Sequence, residues 1–344
     1  MHVSRTTFRS LWVVCACVTM VHGLGCTPGG PILGGPPEPT PEPTPEPTPE
    51  VGPCEVRESS GDVVADDDLC AENICLTVAG SLTRGPALSV GADVGCVEAV
   101  GGDLIIEGWE TEDLEGLTAL RSVGGDFVVR GNRLDRIEVP GLLESVGGAM
   151  TIQETNARLV GPFSALRTVA GLELNVLGGR ADFPVLESSG DAVFLGPEIT
   201  AVELPSLRTV SRLYIAWASE IESLGDIGAL EEVDVLELQA LEGLESLGGL
   251  VVPPDVTSRV SLTELPELAD VSALATLRST GTLLLRNDFA LADATPLYGV
   301  EHLRGDLIVE DCTALRTTGA EALRDAIGAE NIDGFVVITG NEPD

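Results

Sequence analysis

The sequence contains no lysine and almost no histidine, and these absences exclude several kinds of active site. All 19 basic residues are arginines, and His302 is the only histidine beyond residue 22. A cluster of metal-binding histidines, a Schiff-base lysine and a P-loop lysine are therefore impossible. Aromatic residues form only 3% of the chain, so the composition does not indicate a strong aromatic hot spot.

Positive charge is also scarce, since 55 acidic residues give a net charge of −36. Such a field repels nucleic acids and anionic membrane surfaces and favours cations and basic partners. A solvated acidic surface is the simplest interpretation. Asp66-Asp67-Asp68 is a possible calcium ligand group, but it lacks the spacing of an EF-hand loop, and we predict neither a metal nor a cofactor.

Residues 1–25 have the form of an export signal, with Arg5 and Arg9 before a short apolar stretch at residues 11–20. Residues 23–26 read Gly-Leu-Gly-Cys and resemble a bacterial lipoprotein signal, in which Cys26 is lipidated, with Cys17 as a rival site. By this resemblance, Thr27 after the cysteine favours the outer membrane. Plain secretion is the alternative.

Residues 26–53 follow as an anchor and tether built from repeated Pro-Glu-Pro-Thr units. Proline fixes φ, so we expect a semi-rigid polyproline II spacer that reaches roughly 40 Å.

Eight cysteines are present, and four of them cluster at residues 54, 70, 75 and 96. In an exported protein this cluster predicts two disulfides among Cys54, Cys70, Cys75 and Cys96, with three possible pairings. They would hold an N-terminal cap over residues 54–96, because the end of a repeat array exposes an apolar cross-section.

One sequence motif recurs through most of the chain and is clearest at residues 120–129, Leu-Arg-Ser-Val-Gly-Gly-Asp-Phe-Val-Val. Apolar residues three apart lead to a small turn and then to a short apolar-x-apolar strand. Successive strand anchors lie 19 to 24 residues apart, a period typical of a solenoid. The anchors are Leu104, Phe127, Met150, Leu172, Phe194, Leu213, Leu236, Val260, Leu283 and Leu307.

One unit of about six buried apolar side chains cannot offset the entropy of ordering its backbone, so the units must stack. We therefore predict a mainly β fold, a right-handed parallel β-helix or leucine-rich-repeat-like solenoid of about 10–11 rungs. The solenoid would cover residues 97–318. A short helix at residues 321–327 and a strand at residues 335–338 would form a C-terminal cap within residues 319–344.

The repeats at residues 117–129 and 163–174 resemble the receptor L-domain family, and this resemblance covers roughly residues 97–315. It implies binding rather than catalysis, although the cysteine-rich spacers of the receptor members are absent. Cys312 falls five residues after its strand anchor, as Asn132 does, in the inward slot that leucine-rich repeats fill with asparagine or cysteine. We therefore expect a buried structural thiol.

The outward strand positions are the candidate binding face. Apolar or aromatic residues occupy several of them, and two tryptophans lie one corner away; the set is Ile105, Trp109, Val128, Tyr214, Trp217, Leu284 and Ile308. No two adjacent rungs of this row both carry an acid, as a β-helix polysaccharide-active enzyme would need, and a Ser-His-Asp site would have to use His302.

The sequence thus predicts a non-catalytic lipoprotein of the cell envelope that binds a protein or glycan. The alternatives are a structural surface spacer and a polysaccharide-active enzyme.

Overall fold

A computed structural model describes residues 55–65, 69–70, 74–84, 94–108, 114–131, 134–137, 142–228 and 230–344. The strands, in chain order, are β1 (Glu55–Ser59), β2 (Val63–Val64), β3 (Ile74–Val78), β4 (Leu82–Arg84), β5 (Val97–Val100), β6 (Leu104–Glu107), β7 (Ser122–Val123), β8 (Phe127–Arg130), β9 (Arg136–Ile137), β10 (Ser145–Thr155), β11 (Leu159–Val160), β12 (Thr168–Val176), β13 (Gly178–Asp182), β14 (Ser188–Leu195), β15 (Glu198–Glu203), β16 (Thr209–Ala216), β17 (Glu232–Gln239), β18 (Asp255–Thr263), β19 (Ser279–Arg286), β20 (His302–Leu303), β21 (Leu307–Glu310) and β22 (Val336–Thr339). One α-helix, α1, spans Thr317–Ile327, and short 3-10 helices span Glu115–Leu117, Ser272–Thr276, Thr295–Gly299 and Ala329–Asn331.

These strands build a β-solenoid of about ten turns, which confirms the predicted fold class. Eighteen of them form one sheet, in which each strand pairs in parallel with the corresponding strand of the next turn. The sheet already includes β1 to β4, within the region assigned to the N-terminal cap. We call its outward surface the sheet face.

The opposite wall changes along the solenoid. In the middle turns it is a second parallel sheet of four strands, in the order β15-β13-β11-β9. Towards the C-terminus the segments between the strands of the large sheet contain the 3-10 helices Ser272–Thr276 and Thr295–Gly299 and then α1. Turns walled by two sheets therefore give way, towards the C-terminus, to turns that include helical segments.

The interior is a continuous column of buried aliphatic side chains from the first turns to α1. Leu172, Leu213 and Leu236 stack within it in parallel register. The rings of Phe163 and Phe183 stack with their centroids 5.0 Å apart. Most of this side-chain area is removed from water only when successive turns are stacked. The hydrophobic contribution to stability therefore comes from the stacked array and not from a single turn.

One strand anchor was predicted wrongly. Ala192, not Phe194, pairs with Leu172 on one side and Leu213 on the other. Phe194 instead pairs with Leu174 and Ile215 and fills the next inward position. Residue 194 was chosen as the anchor because its side chain is the larger of the two. The strand register instead places Ala192 at the anchor position.

A ladder of side-chain hydrogen bonds follows the turn that precedes the short strands. Asp103 Oδ1 accepts the backbone N–H of Asp126 at 2.9 Å, and Asp126 Oδ1 accepts that of Ala149 at 2.8 Å. A Cβ at Gly125 would overlap the Asp103 carboxylate, and one at Gly124 would overlap the carbonyl oxygen of Gly101. Glycine is therefore required here so that the turns can approach one another.

The two ends are closed differently. Cys70 and Cys96 form a disulfide near the N-terminus, and Cys75 is disulfide-bonded as well. Cys54 lies outside the described residues. At the C-terminus α1 and β22 are present, as the sequence predicted, with Ala320, Leu323 and Ile327 of the helix buried against the last turns.

Candidate functional site

The structure places five of the seven predicted face residues, Ile105, Val128, Tyr214, Leu284 and Ile308, in one column along the sheet. The paired outward residues are Ile105, Val128, Thr151, Glu173, Val193, Tyr214, Glu237, Ser261, Leu284, Ile308 and Val337. Val193 and Val337 are apolar additions to the expected set, Trp217 lies at the corner after β16, and Trp109 lies outside the described residues. The parallel register produces the column, because one-to-one pairing keeps equivalent positions on the same face.

Tyr214 is the centre of a polar and aromatic cluster on this face. The Arg212 guanidinium lies 4.4 Å from the centre of the Tyr214 ring and donates to Glu237 Oε2 at 2.9 and 2.6 Å. Arg259 donates to the other oxygen of Glu237 at 3.1 Å, and the Tyr214 hydroxyl donates to Gln239 Oε1 at 2.8 Å. We call these five residues the Tyr214 cluster.

The Tyr214 cluster is fixed in place by bonds that span three neighbouring turns. Desolvation raises the pKa of Tyr214, Arg212 opposes that shift, and the Glu237 carboxylate adds to it. The phenol is therefore a neutral hydrogen-bonding group. Ser261, Thr263 and Leu284 continue the same surface as a shallow depression of about 230 Å³. The depression offers fixed polar groups beside apolar surface, which suits recognition of a ligand.

Trp217 stands at the corner directly after β16, with its ring edge-on to Tyr214 and the centroids 6.5 Å apart. Its side chain is 52% exposed and its φ is 55°. The equivalent corner is occupied by glycine in some turns and by smaller or polar residues at similar positive φ in others; these residues are Gly108, Gly131, Gly340, Glu154, Ala240, Glu264, Asn287 and Asp311. A bulky side chain in the left-handed region is strained, and exposure of an indole adds nothing to folding. Neither backbone geometry nor burial therefore accounts for a tryptophan at this corner.

The arginines are used mainly in ion pairs along the sheet and its flanks. Arg212 and Arg259 share Glu237, Arg286 pairs with Glu310 at 2.6 Å, and Arg130 pairs with Glu107. These pairs join neighbouring turns. Exposed pairs of this kind contribute only modestly to stability, but they fix the polar pattern of the sheet face.

Asp288 and Cys312 fill the inward corner slot in successive turns, and both side chains are fully buried. Cys312 is a free thiol, and burial raises its pKa to about 12, with a further contribution from Asp288. Burial also raises the pKa of Asp288 to about 7. The structure thus agrees with the expected buried thiol, and a neutral thiol with so high a pKa is a poor nucleophile.

His302 does not form a nucleophile–base pair. It lies 3.3 Å from Asp333, and its register partner on β19 is Ser279. The Ser279 hydroxyl, however, donates to Asp255 at 2.5 Å, and in the part of the chain that the structure describes no hydrogen bond joins it to His302. The same described residues contain no group of three acidic, histidine or cysteine side chains arranged to hold a metal ion. The calcium candidate at residues 66–68 lies outside them.

Sequence reasoning missed the ladder of Asp103 and Asp126 and the role of Arg212, Arg259 and Gln239. The ladder had a visible signal, since Gly-Gly-Asp recurs one turn apart at residues 101–103 and 124–126. The Tyr214 cluster had none, because Arg212 and Arg259 meet at Glu237 only through the register of three strands.

No family model, no curated protein and no solved structure matches the chain. Within the described ranges, no helix has the length and apolar character needed to cross a bilayer. The functional argument therefore depends on the geometry of the sheet face alone.

Proposed function

We propose that this chain is a non-catalytic binding protein of the cell envelope, a solenoid of the receptor L-domain type held by a lipid on Cys26 and the tether of residues 26–53. The sheet face binds a protein or glycan partner. The supporting observation is the pairing of Tyr214 with Trp217, an exposed indole in a strained corner beside a fixed polar cluster.

The chemistry of the Tyr214 cluster fits recognition better than turnover. Its carboxylate, Glu237, is held by two guanidinium groups, and Tyr214 keeps its proton. Groups fixed in this way present hydrogen bonds to a ligand without reorganising, which reduces the cost of binding. Tyrosine and tryptophan add contact area with little loss of side-chain entropy.

The test compares Tyr214→Asp with Val251→Asp in binding to separate polysaccharide and protein fractions of the cell envelope. Val251 is an exposed apolar residue in the turn before β18, so it controls for the added charge. We expect Tyr214→Asp to abolish retention of one fraction and Val251→Asp to leave it unchanged. Unchanged retention of Tyr214→Asp would refute the sheet face as the binding site. No retention of the wild type by either fraction would favour the structural spacer, and cleavage of the polysaccharide would favour the enzyme.

A further inference from the structure

A second surface lies around the corner from the sheet face, on the turns that follow β17, β18 and β19. Ala240, Glu242, Glu264, Pro266, Asn287 and Phe289 line a groove there of about 310 Å³. We call it the corner groove. Its walls differ in character, because Phe289 and Pro266 are apolar whereas Glu242 and Glu264 are exposed carboxylates.

The apolar wall is not needed for folding. Phe289 directly follows the buried Asp288, but its own ring is 49% exposed. The equivalent residue one turn further is Thr313, since Arg286 and Glu310 are register partners. A polar side chain therefore suffices at this place in the repeat, and the phenylalanine leaves apolar surface open to a ligand.

The negative charge on this side of the solenoid is uncompensated. No arginine occurs between Arg212 and Arg259 or between Arg259 and Arg278. The carboxylates of the turns at residues 218–222, 240–245 and 264–267 make no ion pair with any residue that the structure describes; they are Glu220, Glu222, Glu242, Glu245, Glu264 and Glu267. On the sheet face, by contrast, Glu237 and Glu310 are both paired.

An exposed carboxylate pair beside an aromatic wall matches one kind of side chain. Lysine and arginine carry a cationic head on an apolar stem, and the stem packs on apolar surface while the head remains near solvent. The field of the surrounding glutamates attracts a basic chain and orients it before contact. An acidic ligand would be repelled by the carboxylates, and a purely apolar ligand would make no ion pair with them, so neither would interact favourably with both walls of the groove.

We propose that the corner groove binds a basic polypeptide, with a lysine or arginine side chain between Glu242 and Glu264 and its stem against Phe289 and Pro266. This surface is separate from the Tyr214 cluster, so its occupant is additional to the partner of the sheet face. The two surfaces adjoin where Gln239 is followed by Ala240.

The experiment measures binding of a fluorescent peptide of alternating lysine and leucine to the full-length protein by anisotropy, at an ionic strength of about 0.15 M, where distant charges are screened. We expect Glu242→Gln with Glu264→Gln to weaken binding about tenfold, the factor that two exposed ion pairs supply. Phe289→Ser should weaken it several-fold. A peptide of alternating lysine and serine should bind more weakly than the lysine–leucine peptide.

The matched control is Glu173→Gln with Glu198→Gln, which removes two exposed carboxylates away from the corner groove. It should change the affinity less than twofold. If it weakens binding as much as the groove variant, attraction by net charge explains the result and the site is refuted. Unchanged affinity in Phe289→Ser, or no binding to the wild-type protein, would also overturn the proposal. Tyr214→Asp should leave peptide binding intact, which separates this site from the proposed function.

Discussion

Asp288 Oδ1 accepts the backbone N–H of Leu265 in the preceding turn at 3.1 Å, while the other oxygen of the same carboxyl group is buried without a partner in the described structure. Asn341 fills the equivalent slot two turns further along, after Cys312. Its Oδ1 accepts the N–H of Cys312 and its Nδ2 donates to the Val309 carbonyl. In this slot the amide of Asn341 makes a hydrogen bond with both its oxygen and its nitrogen, whereas the carboxyl group of Asp288 makes one with only one of its two oxygens.

Asp288→Asn should stabilise the protein at pH 8 and flatten its pH dependence. Burial raises the folded-state pKa to about 7 from 3.8, so the folded state holds the proton more tightly than the unfolded state. The contribution of Asp288 to stability therefore falls as the pH rises from about 4 to about 7, by up to about 4 kcal/mol. Thermal unfolding across this range checks the prediction.

Asp234→Asn is the control for this change, because Asp234 is exposed and makes no side-chain bond within the described structure. It should leave the unfolding midpoint at each pH close to that of the wild type. A difference in unfolding free energy between Asp288→Asn and the wild type that stays constant from pH 4 to pH 7 would contradict the assignment of a raised pKa to Asp288.

Gly124→Ala should destabilise the solenoid by about 1–3 kcal/mol, the usual cost of overpacking. The added Cβ would overlap the Gly101 carbonyl oxygen, which is backbone and cannot rotate away. Gly61→Ala is the control, since a Cβ there meets nothing within 4 Å. Denaturant titration of both variants measures the difference, and equal midpoints would show that the turns tolerate wider spacing.

Replacing Cys70 and Cys96 by serine should weaken the N-terminal turns by about 3 kcal/mol, because the disulfide closes a loop of 26 residues. In a repeat array each turn contacts mainly its neighbours, so the effect should remain local. Hydrogen exchange should show faster exchange in β3 to β6 and unchanged protection in β18 and β19. Faster exchange throughout would indicate that the whole array unfolds as one unit.

Cys26→Ala should prevent lipid attachment and release the protein from the membrane fraction. The prediction comes from the sequence alone, since residue 26 lies outside the described residues. Mass spectrometry of the mature N-terminus checks it, with Cys17→Ala as the control for the rival site. An unlipidated wild-type N-terminus would favour plain secretion.

The sequence predicted the solenoid because its apolar spacing repeats too regularly to arise from a single compact core. The column from Ile105 to Ile308 followed from the same spacing, since strand residues alternate between faces. The Phe194 anchor failed because hydrophobic size is a weaker guide to register than hydrogen-bond pairing. Contacts such as Arg259 with Glu237 depend on that register and on a bulge in β18, and neither is visible in the local sequence.

Trp217→Gly tests the central claim most directly, because it separates folding from binding. Glycine relieves the strain at a φ of 55° but removes the ring beside Tyr214, and these two effects are each about 1 kcal/mol and opposite in sign. We predict an unfolding free energy within about 1 kcal/mol of the wild type and loss of binding to the envelope fraction that the wild type retains. A protein that is strongly destabilised, or one that binds as before, would contradict the assignment of Trp217 to a binding site.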